Sequence, residues 1–185
     1  MPRATRNAAV TKGGVYHVIA RGNNRMRIFH RQEDYLAYLE VLDAVARHCR
    51  IDIFHYVLMP NHVHILLRSD GNLPAFMQVV QVTYAKRYCK RNKHAGHVWQ
   101  GRYKSLPVTS DPYLFAAGNY IEMNPVRAHL TAKPEDWPHS SYEVYASGKY
   151  NRIVTIDPFY PSIAANPALR QRRYRELVSK TRAKR

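Results

Sequence analysis

Residues 51–68 have the sequence IDIFHYVLMPNHVHILLR, in which two apolar runs flank Pro60 and Asn61. Runs of this length that are rich in β-branched and aromatic residues are typical of strands, and a Pro-Asn pair between them is typical of a turn. The stretch therefore predicts a β-hairpin. His62 and His64 stand two residues apart on its second strand, so both imidazoles are expected on one face and Val63 on the other.

The segments on either side of the hairpin alternate between strand and helix patterns. GVYHVIARGNN, residues 14–24, predicts a strand that ends in a turn. Apolar residues at spacings of three and four predict one helix over residues 32–48 and another that includes residues 76–88. A short fourth strand is predicted near residues 105–108.

Two prolines set the limits of a third helix. Pro112 suits a first helical position after a capping Asp111, and Pro125 disfavours helical geometry in the residue before it, so the helix is expected over residues 112–124. The order β-α-β-β-α-β-α predicts an α+β fold, a ferredoxin-like sandwich with a mainly antiparallel sheet and helices on one face.

The composition predicts one compact domain with basic extensions. Hydrophobic residues make up 45% of the 185 residues, which is enough for an ordinary core. We expect a basic N-terminal arm at 1–12, a domain at 13–150, and a linker with a basic C-terminal tail at 151–185. The last part of this tail is compatible with either a helix or a disordered arm. Its low apolar content predicts that it becomes ordered mainly on binding DNA, or lies across the active-site groove as a mobile cover in the absence of DNA.

Cysteine usage and hydropathy indicate a location in the cytoplasm, in association with the nucleoid. Cys49 and Cys89 are the two cysteines of the chain, and a disulfide scaffold or Cys-rich zinc finger needs more. No apolar run approaches the roughly 18 residues of a membrane span, and residues 1–14 lack the apolar core of a secretory signal.

The charge is large and unevenly distributed. Lys and Arg number 29 against 13 Asp and Glu, for a formal net charge of +16. Residues 1–32 and 71–110 contain no acidic residue, and residues 161–185 contain one among many cations. Such blocks are often only solvated surface, but their interleaving with tyrosines favours a surface that binds nucleic acid.

The third predicted helix carries a second candidate group. Tyr120 and Asn124 are four residues apart and share one helical face, whereas Glu122 is turned away by roughly 200°. With His62 and His64 they would supply a nucleophile, two imidazoles and an amide oxygen, which is a possible divalent-metal site. Periodicity alone favours the structural alternative, with Tyr120 in the core, Asn124 as a helix end and the histidines as polar surface residues.

Four motifs in order resemble the HUH single-tyrosine transposases. They are RGNNR at 21–25, MPNHVHILL at 59–67, WQGRYKS at 99–105 and NYIEMNPVRAHL at 119–130. The first and third are similar to the branch of REP-associated tyrosine transposases, and the likeness spans about residues 13–145. The resemblance implies that His62 and His64 are the HUH pair, Tyr120 the nucleophile and Asn124 the third metal ligand. Many tyrosine transposases have Gln where this chain has Asn124.

The resemblance also implies an activity. We expect Mg²⁺- or Mn²⁺-dependent cleavage and rejoining of single-stranded DNA at hairpin-forming, REP-like palindromic repeats, through a 5′-phosphotyrosine intermediate and by a monomer or homodimer. No nucleotide cofactor is expected. His17 is a candidate proton acceptor by residue type alone, and a structural histidine is an equally open interpretation.

The predicted DNA-binding residues are cations and two aromatics near these motifs. The aromatics, Trp99 and Tyr103, are expected either to stack on bases or to pack in the core. The cations are Arg21, Arg25, Arg27, Lys86, Arg87, Lys90, Arg102 and Lys104. Two other classes stay open at this point: a binding protein on the same fold that does not cleave, and a nucleic-acid-binding protein with structural zinc.

Overall fold

The structure is a computed structural model and describes residues 10–182, so most of the predicted N-terminal arm lies outside the described residues. The strands are β1 Lys12–Arg21, β2 Asp52–Met59, β3 His62–Asp70 and β4 Lys104–Val108. The helices are α1 Gln32–Cys49, α2 Leu73–Asn92, α3 Asp111–Glu122, α4 Asn124–Arg127, α5 Tyr142–Ser147 and α6 Pro167–Arg182. No described helix is long and apolar enough to cross a membrane.

The four strands form one antiparallel sheet in the order β2-β3-β1-β4. The hairpin β2–β3 turns at Pro60 and Asn61, as predicted, and β1 pairs with β3 along its whole length. Two β-α-β units placed in this order make the ferredoxin-like sandwich, so the predicted α+β fold class is confirmed.

The two faces of the sheet have different partners. Alternate residues such as Val18, Val63 and Ile65 pack under α1 and α2 in the main core. The opposite face includes Leu66, which packs with Ile121 of α3 in a second apolar cluster. Helices α1 and α2 therefore cover one face of the sheet, as expected. Helix α3 lies on the other face, because β2 is apolar on that face as well.

Helix α3 ends two residues earlier than predicted from its proline. Ser110, and not the predicted Asp111, is at the N-cap position, and the helix ends at Glu122. Pro125 then lies in the first turn of the short helix α4, where its missing N–H costs no hydrogen bond. Asn124 consequently begins a new helical turn.

The C-terminal residues build a third apolar cluster around α5 and α6. Tyr145, Tyr160, Tyr174 and Val178 are buried together. The basic tail is therefore a helix that packs on the protein, in contrast to the expectation that it becomes ordered mainly on DNA. Although the average hydropathy of the tail is low, two of its side chains, Tyr174 and Val178, are buried in this cluster.

Candidate active site

Three histidines lie together on the face of the sheet that α3 covers. His62 and His64 alternate with Val63 on β3, which places them on the same side, as predicted. His17 of the neighbouring strand is hydrogen-bonded through Nε2 to His64 Nδ1 at 2.8 Å. His62 Nδ1 is hydrogen-bonded to Asn61 Oδ1 at 2.7 Å.

All three imidazoles are neutral at physiological pH. Burial lowers the pKa of His17 and of His62 to about 4, with a further contribution from Arg21 at His62. Burial lowers the pKa of His64 to about 2, and the positive charges of its neighbours act in the same direction. A neutral imidazole keeps a lone pair, which a metal ligand requires.

The hydrogen bonds leave the Nε2 atoms of the histidine pair available. Because the Asn61 Oδ1 atom accepts a hydrogen bond, His62 carries its proton on Nδ1 and has a lone pair on Nε2. His64 has the same arrangement when its Nδ1–H donates to His17. Partners of this kind orient histidine ligands in metal sites.

The ring of Tyr120, on α3, lies near two of these histidines, His17 and His64. Its ring centroid is 6.0 Å from that of His17 and 6.1 Å from that of His64, in edge-on orientations. The side chain is 41% exposed, so the alternative of a core tyrosine is wrong. The guanidinium carbon of Arg127 lies 4.7 Å from the ring centroid.

Asn124 presents an oxygen at the junction of α3 and α4. Its Nδ2 donates to the carbonyl oxygens of Tyr120 at 2.8 Å and Ile121 at 3.2 Å. These bonds fix the amide and leave Oδ1 for another ligand. Two neutral imidazoles and an amide oxygen suit a divalent ion that keeps open positions. No group of three or more His, Cys, Asp or Glu within residues 10–182 is arranged to hold a metal.

Glu122 points to the interior, as predicted from its angle to Tyr120. Its Oε1 accepts hydrogen bonds from His55 Nδ1 at 2.8 Å and from Ser141 Oγ at 2.6 Å. His55 also contacts Asp157 through Nε2 at 3.3 Å. Although burial by itself lowers the pKa of His55, the two carboxylates raise it to about 9, so the ring is an imidazolium.

The RGNNR turn is attached to the histidine hairpin. The backbone N–H of Gly22 donates to Asn61 O at 2.8 Å, and Asn61 Nδ2 donates to Arg25 O at 3.0 Å. Asn24 and Arg25 both have positive φ angles, 48° and 59°. Unusual backbone of this kind in non-glycine residues is concentrated at functional sites.

The predicted DNA-binding cations fall into two groups. Arg21 is opposite His62 in the β1–β3 pair and Lys104 is opposite Ile19 in the β1–β4 pair, so both side chains emerge on the face of the histidines. Arg25, Arg27 and Arg102 are exposed on the connecting segments. The structure does not bring the α2 cations Lys86, Arg87 and Lys90 to this face, because α2 covers the other side of the sheet.

Trp99 and Tyr103 pack against the main core. The indole N–H of Trp99 donates to Gln81 O at 2.9 Å, and its ring lies between those of Tyr38 and Tyr84 at centroid distances of 6.3 and 5.9 Å. Of the two roles left open by the sequence, core packing is therefore the observed one, because the connector before β4 has few other apolar residues with which to anchor itself.

Several residues of the site were not predicted. Arg127 is seven residues after Tyr120, a spacing that places two residues on the same face of a helix. The prediction that the helix ends before Pro125 excluded this pairing. His55 and Tyr174 come from distant segments, and no local pattern connects them to Glu122. His17, which the sequence offered as a proton acceptor, is hydrogen-bonded to His64 and has a lowered pKa, both of which favour a supporting role.

Comparison with known proteins gives matches to solved structures and to one family model. A solved structure of a REP-associated tyrosine transposase bound to a REP hairpin matches with a TM-score of 0.68 at 20% identity, over 85% of this chain and 93% of that one. A putative transposase from Deinococcus radiodurans matches with a TM-score of 0.46 at 18% identity, over 72% and 97% of the two chains. No curated protein sequence matches. The family model described as IS200-like transposase matches residues 11–124, more than half of the sequence, and the chain belongs to this transposase family.

Proposed function

We propose that this protein is a metal-dependent nuclease and strand transferase for single-stranded DNA, with Tyr120 as its nucleophile. The observation that carries the proposal is the position of the Tyr120 ring, about 6 Å from the rings of His17 and His64. The exposed phenol of Tyr120 therefore lies beside His64, and His64 and His62 each have an Nε2 atom available as a ligand.

Each residue of the site has a distinct task. His62, His64 and Asn124 would hold the ion, which when bound would neutralise charge on a phosphate oxygen and polarise the phosphorus. Asn61 and His17 hold the two imidazoles in the required orientation. Arg127, stacked on the Tyr120 ring, orients the phenol and adds positive charge beside the phosphate.

The reaction conserves the energy of the phosphodiester. Tyr120 Oη forms a bond to phosphorus and loses its proton to solvent, while the bond from phosphorus to the 3′ oxygen breaks and that oxygen takes up a proton. The products are a 5′-phosphotyrosine and a free 3′-hydroxyl. Attack of a 3′-hydroxyl on the phosphotyrosine reverses the step and joins DNA ends.

The substrate assignment, a hairpin of a REP-like palindromic repeat with adjacent single-stranded DNA, rests on similarity and charge. The structural relative with a TM-score of 0.68 is bound to a REP hairpin, and two of the four motifs, RGNNR and WQGRYKS, resemble the same branch. Arg21 and Lys104 supply cations on the face that carries the histidines, and Arg25 extends from the turn attached to them.

The test is formation of a covalent adduct. A hairpin DNA labelled at its 3′ end, incubated with the protein and Mg²⁺ or Mn²⁺, should give a labelled protein band on a denaturing gel. Tyr120→Phe should form no adduct and bind the hairpin within about twofold of wild type. Tyr113→Phe, which changes another exposed tyrosine of α3, is the matched control and should form the adduct normally. Binding by the wild type without any adduct would instead identify a non-cleaving DNA-binding protein.

A further inference from the structure

Helix α6 reaches the interior directly behind the nucleophile helix. Tyr174 is 1% exposed, and its hydroxyl donates to Glu122 Oε2 at 2.5 Å. In the sequence, Glu122 lies two residues after Tyr120 and two residues before Asn124. Because helical residues two apart differ by roughly 200°, the side of α3 that Tyr174 contacts is opposite the side that presents Tyr120.

The carboxylate of Glu122 is fully enclosed and uses both oxygens. His55 and Ser141 donate to Oε1, and among the described residues Tyr174 donates to Oε2. A buried carboxylate without such partners is strongly unfavourable, so this network holds the side chain at one position. Three separate elements, β2, the start of α5 and α6, thereby meet at one residue of α3.

The remaining contacts of α3 with the sheet are less directional. Leu114, Ala117 and Ile121 pack on apolar residues of β2 and β3, and such packing tolerates small rotations. Gly118 lies against the His55 ring, where an added Cβ would be 2.7 Å from Nε2. The helix consequently rests on His55, and the hydrogen bonds of Glu122 set its rotation about its own axis.

Helix α6 is itself held firmly. Its arginines donate to backbone carbonyls of the preceding segments: Arg170 to Ala164 and Ala165, Arg173 to Ile163, and Arg175 to Ala146. Much of the positive charge of the C-terminal segment is therefore used to attach α6 to the protein. These hydrogen bonds hold α6 against the preceding segments.

We propose that Tyr174 is a positioning residue for the nucleophile: its hydrogen bond to Glu122 fixes the rotation of α3 and so aims Tyr120 and Asn124 at the histidine strand. This inference rests on the proposed function, since it concerns the rate of the step that Tyr120 performs. Tyr174 itself is buried, so it acts through Glu122.

The test removes one oxygen atom. Tyr174→Phe keeps the ring in its cluster and deletes the donor to Glu122. We expect the rate of adduct formation at saturating hairpin DNA to fall about tenfold, while the Kd for the hairpin stays within about twofold. Tyr160→Phe is the matched control: Tyr160 is buried in the same cluster and its hydroxyl donates to Tyr145 O at 2.7 Å, but it has no hydrogen bond to α3. Both variants should lose similar amounts of thermal stability.

The outcomes separate the two proposals. If Tyr174→Phe and Tyr160→Phe lower Tm equally and only the first slows adduct formation, Tyr174 positions the nucleophile. If both variants form adduct at the wild-type rate, the positioning role is wrong although Tyr120 remains the nucleophile. If the wild type forms no adduct, the proposed function itself fails. Where Tyr174→Phe does not fold, the same comparison of rate against affinity is made in a stabilising osmolyte such as trimethylamine N-oxide, which favours the folded state without restoring the hydrogen bond.

Discussion

His17 Nε2 lies 2.8 Å from His64 Nδ1, so the first strand of the sheet supports the strand that carries the predicted metal ligands. The contact joins two buried, neutral rings and leaves the Nε2 atom of His64 available as a ligand. It makes the first strand part of the active site, although its histidine has no direct role in the proposed chemistry.

Replacing His17 should therefore weaken metal binding. In His17→Ala the His64 ring loses the partner that fixes its proton on Nδ1, and losses of about 10- to 100-fold in metal affinity are typical for such partners. The measurement is the Mn²⁺ concentration that gives half-maximal adduct formation. His48→Ala, an exposed histidine of α1, serves as the control. An unchanged Mn²⁺ requirement in His17→Ala would contradict the supporting role.

The two ligand histidines should differ in their structural importance. His62→Ala and His64→Ala are both expected to lower adduct formation by orders of magnitude. His64 is only 5% exposed and its removal leaves His17 Nε2 without a partner, so we expect His64→Ala to lose about 1–3 kcal/mol of unfolding free energy. His62 is half-buried, and His62→Ala should lose less. Urea denaturation of both variants checks the order, which the opposite ranking would overturn.

The stability of the domain should depend on pH through His55. Its pKa is raised from 6.5 to about 9 in the folded protein, so its stabilising charge is fully present below pH 6.5 and is lost as the pH rises through about 9. The free energy of unfolding should fall over this range by up to about 3 kcal/mol. Denaturation at a series of pH values, with NMR titration of the His55 ring, measures this. A ring that titrates near pH 6.5 would be inconsistent with the buried ion pairs.

Cations on the two sides of the sheet should contribute unequally to DNA binding. Lys104→Gln removes a cation from the histidine face and should make the dependence of log affinity on log salt concentration shallower by roughly 0.7 to 0.9. Arg87→Gln removes a cation from α2 that is paired with Glu40 at 3.1 Å, and its slope should be unchanged. Hairpin binding measured at several salt concentrations distinguishes them. Equal effects would mean that DNA also wraps over α2.

Much of the fold was predictable because its signals are local. The hairpin turn at Pro60, the alternation of His62 and His64 and the helical spacing of Tyr120 and Asn124 all concern residues that are neighbours in sequence. The side of the sheet on which α3 packs was not predictable in this way. It depends on β2 being apolar on both faces, and periodicity within α3 carries no information about that.

The parts of the site that escaped prediction are those assembled from distant segments. His55 and Tyr174 meet at Glu122 from positions 67 residues before and 52 residues after it. A buried glutamate beside the nucleophile has no distinctive local pattern, and a tyrosine in a basic segment is indistinguishable by composition from one that stacks on DNA. Tertiary packing determines the role of each.

The two margins of the sheet also have a consequence for self-association. Along β2, the backbone N–H of Leu58 and the carbonyl of Tyr56 are already bonded to residues 139 and 141 of the same chain. On the opposite margin, β4 is five residues long and contains Pro107, which has no N–H to donate. Each margin is therefore a poor template for strand addition. Pairing of a strand from a second copy, which would extend the sheet from one protein into the next, is therefore disfavoured at both edges.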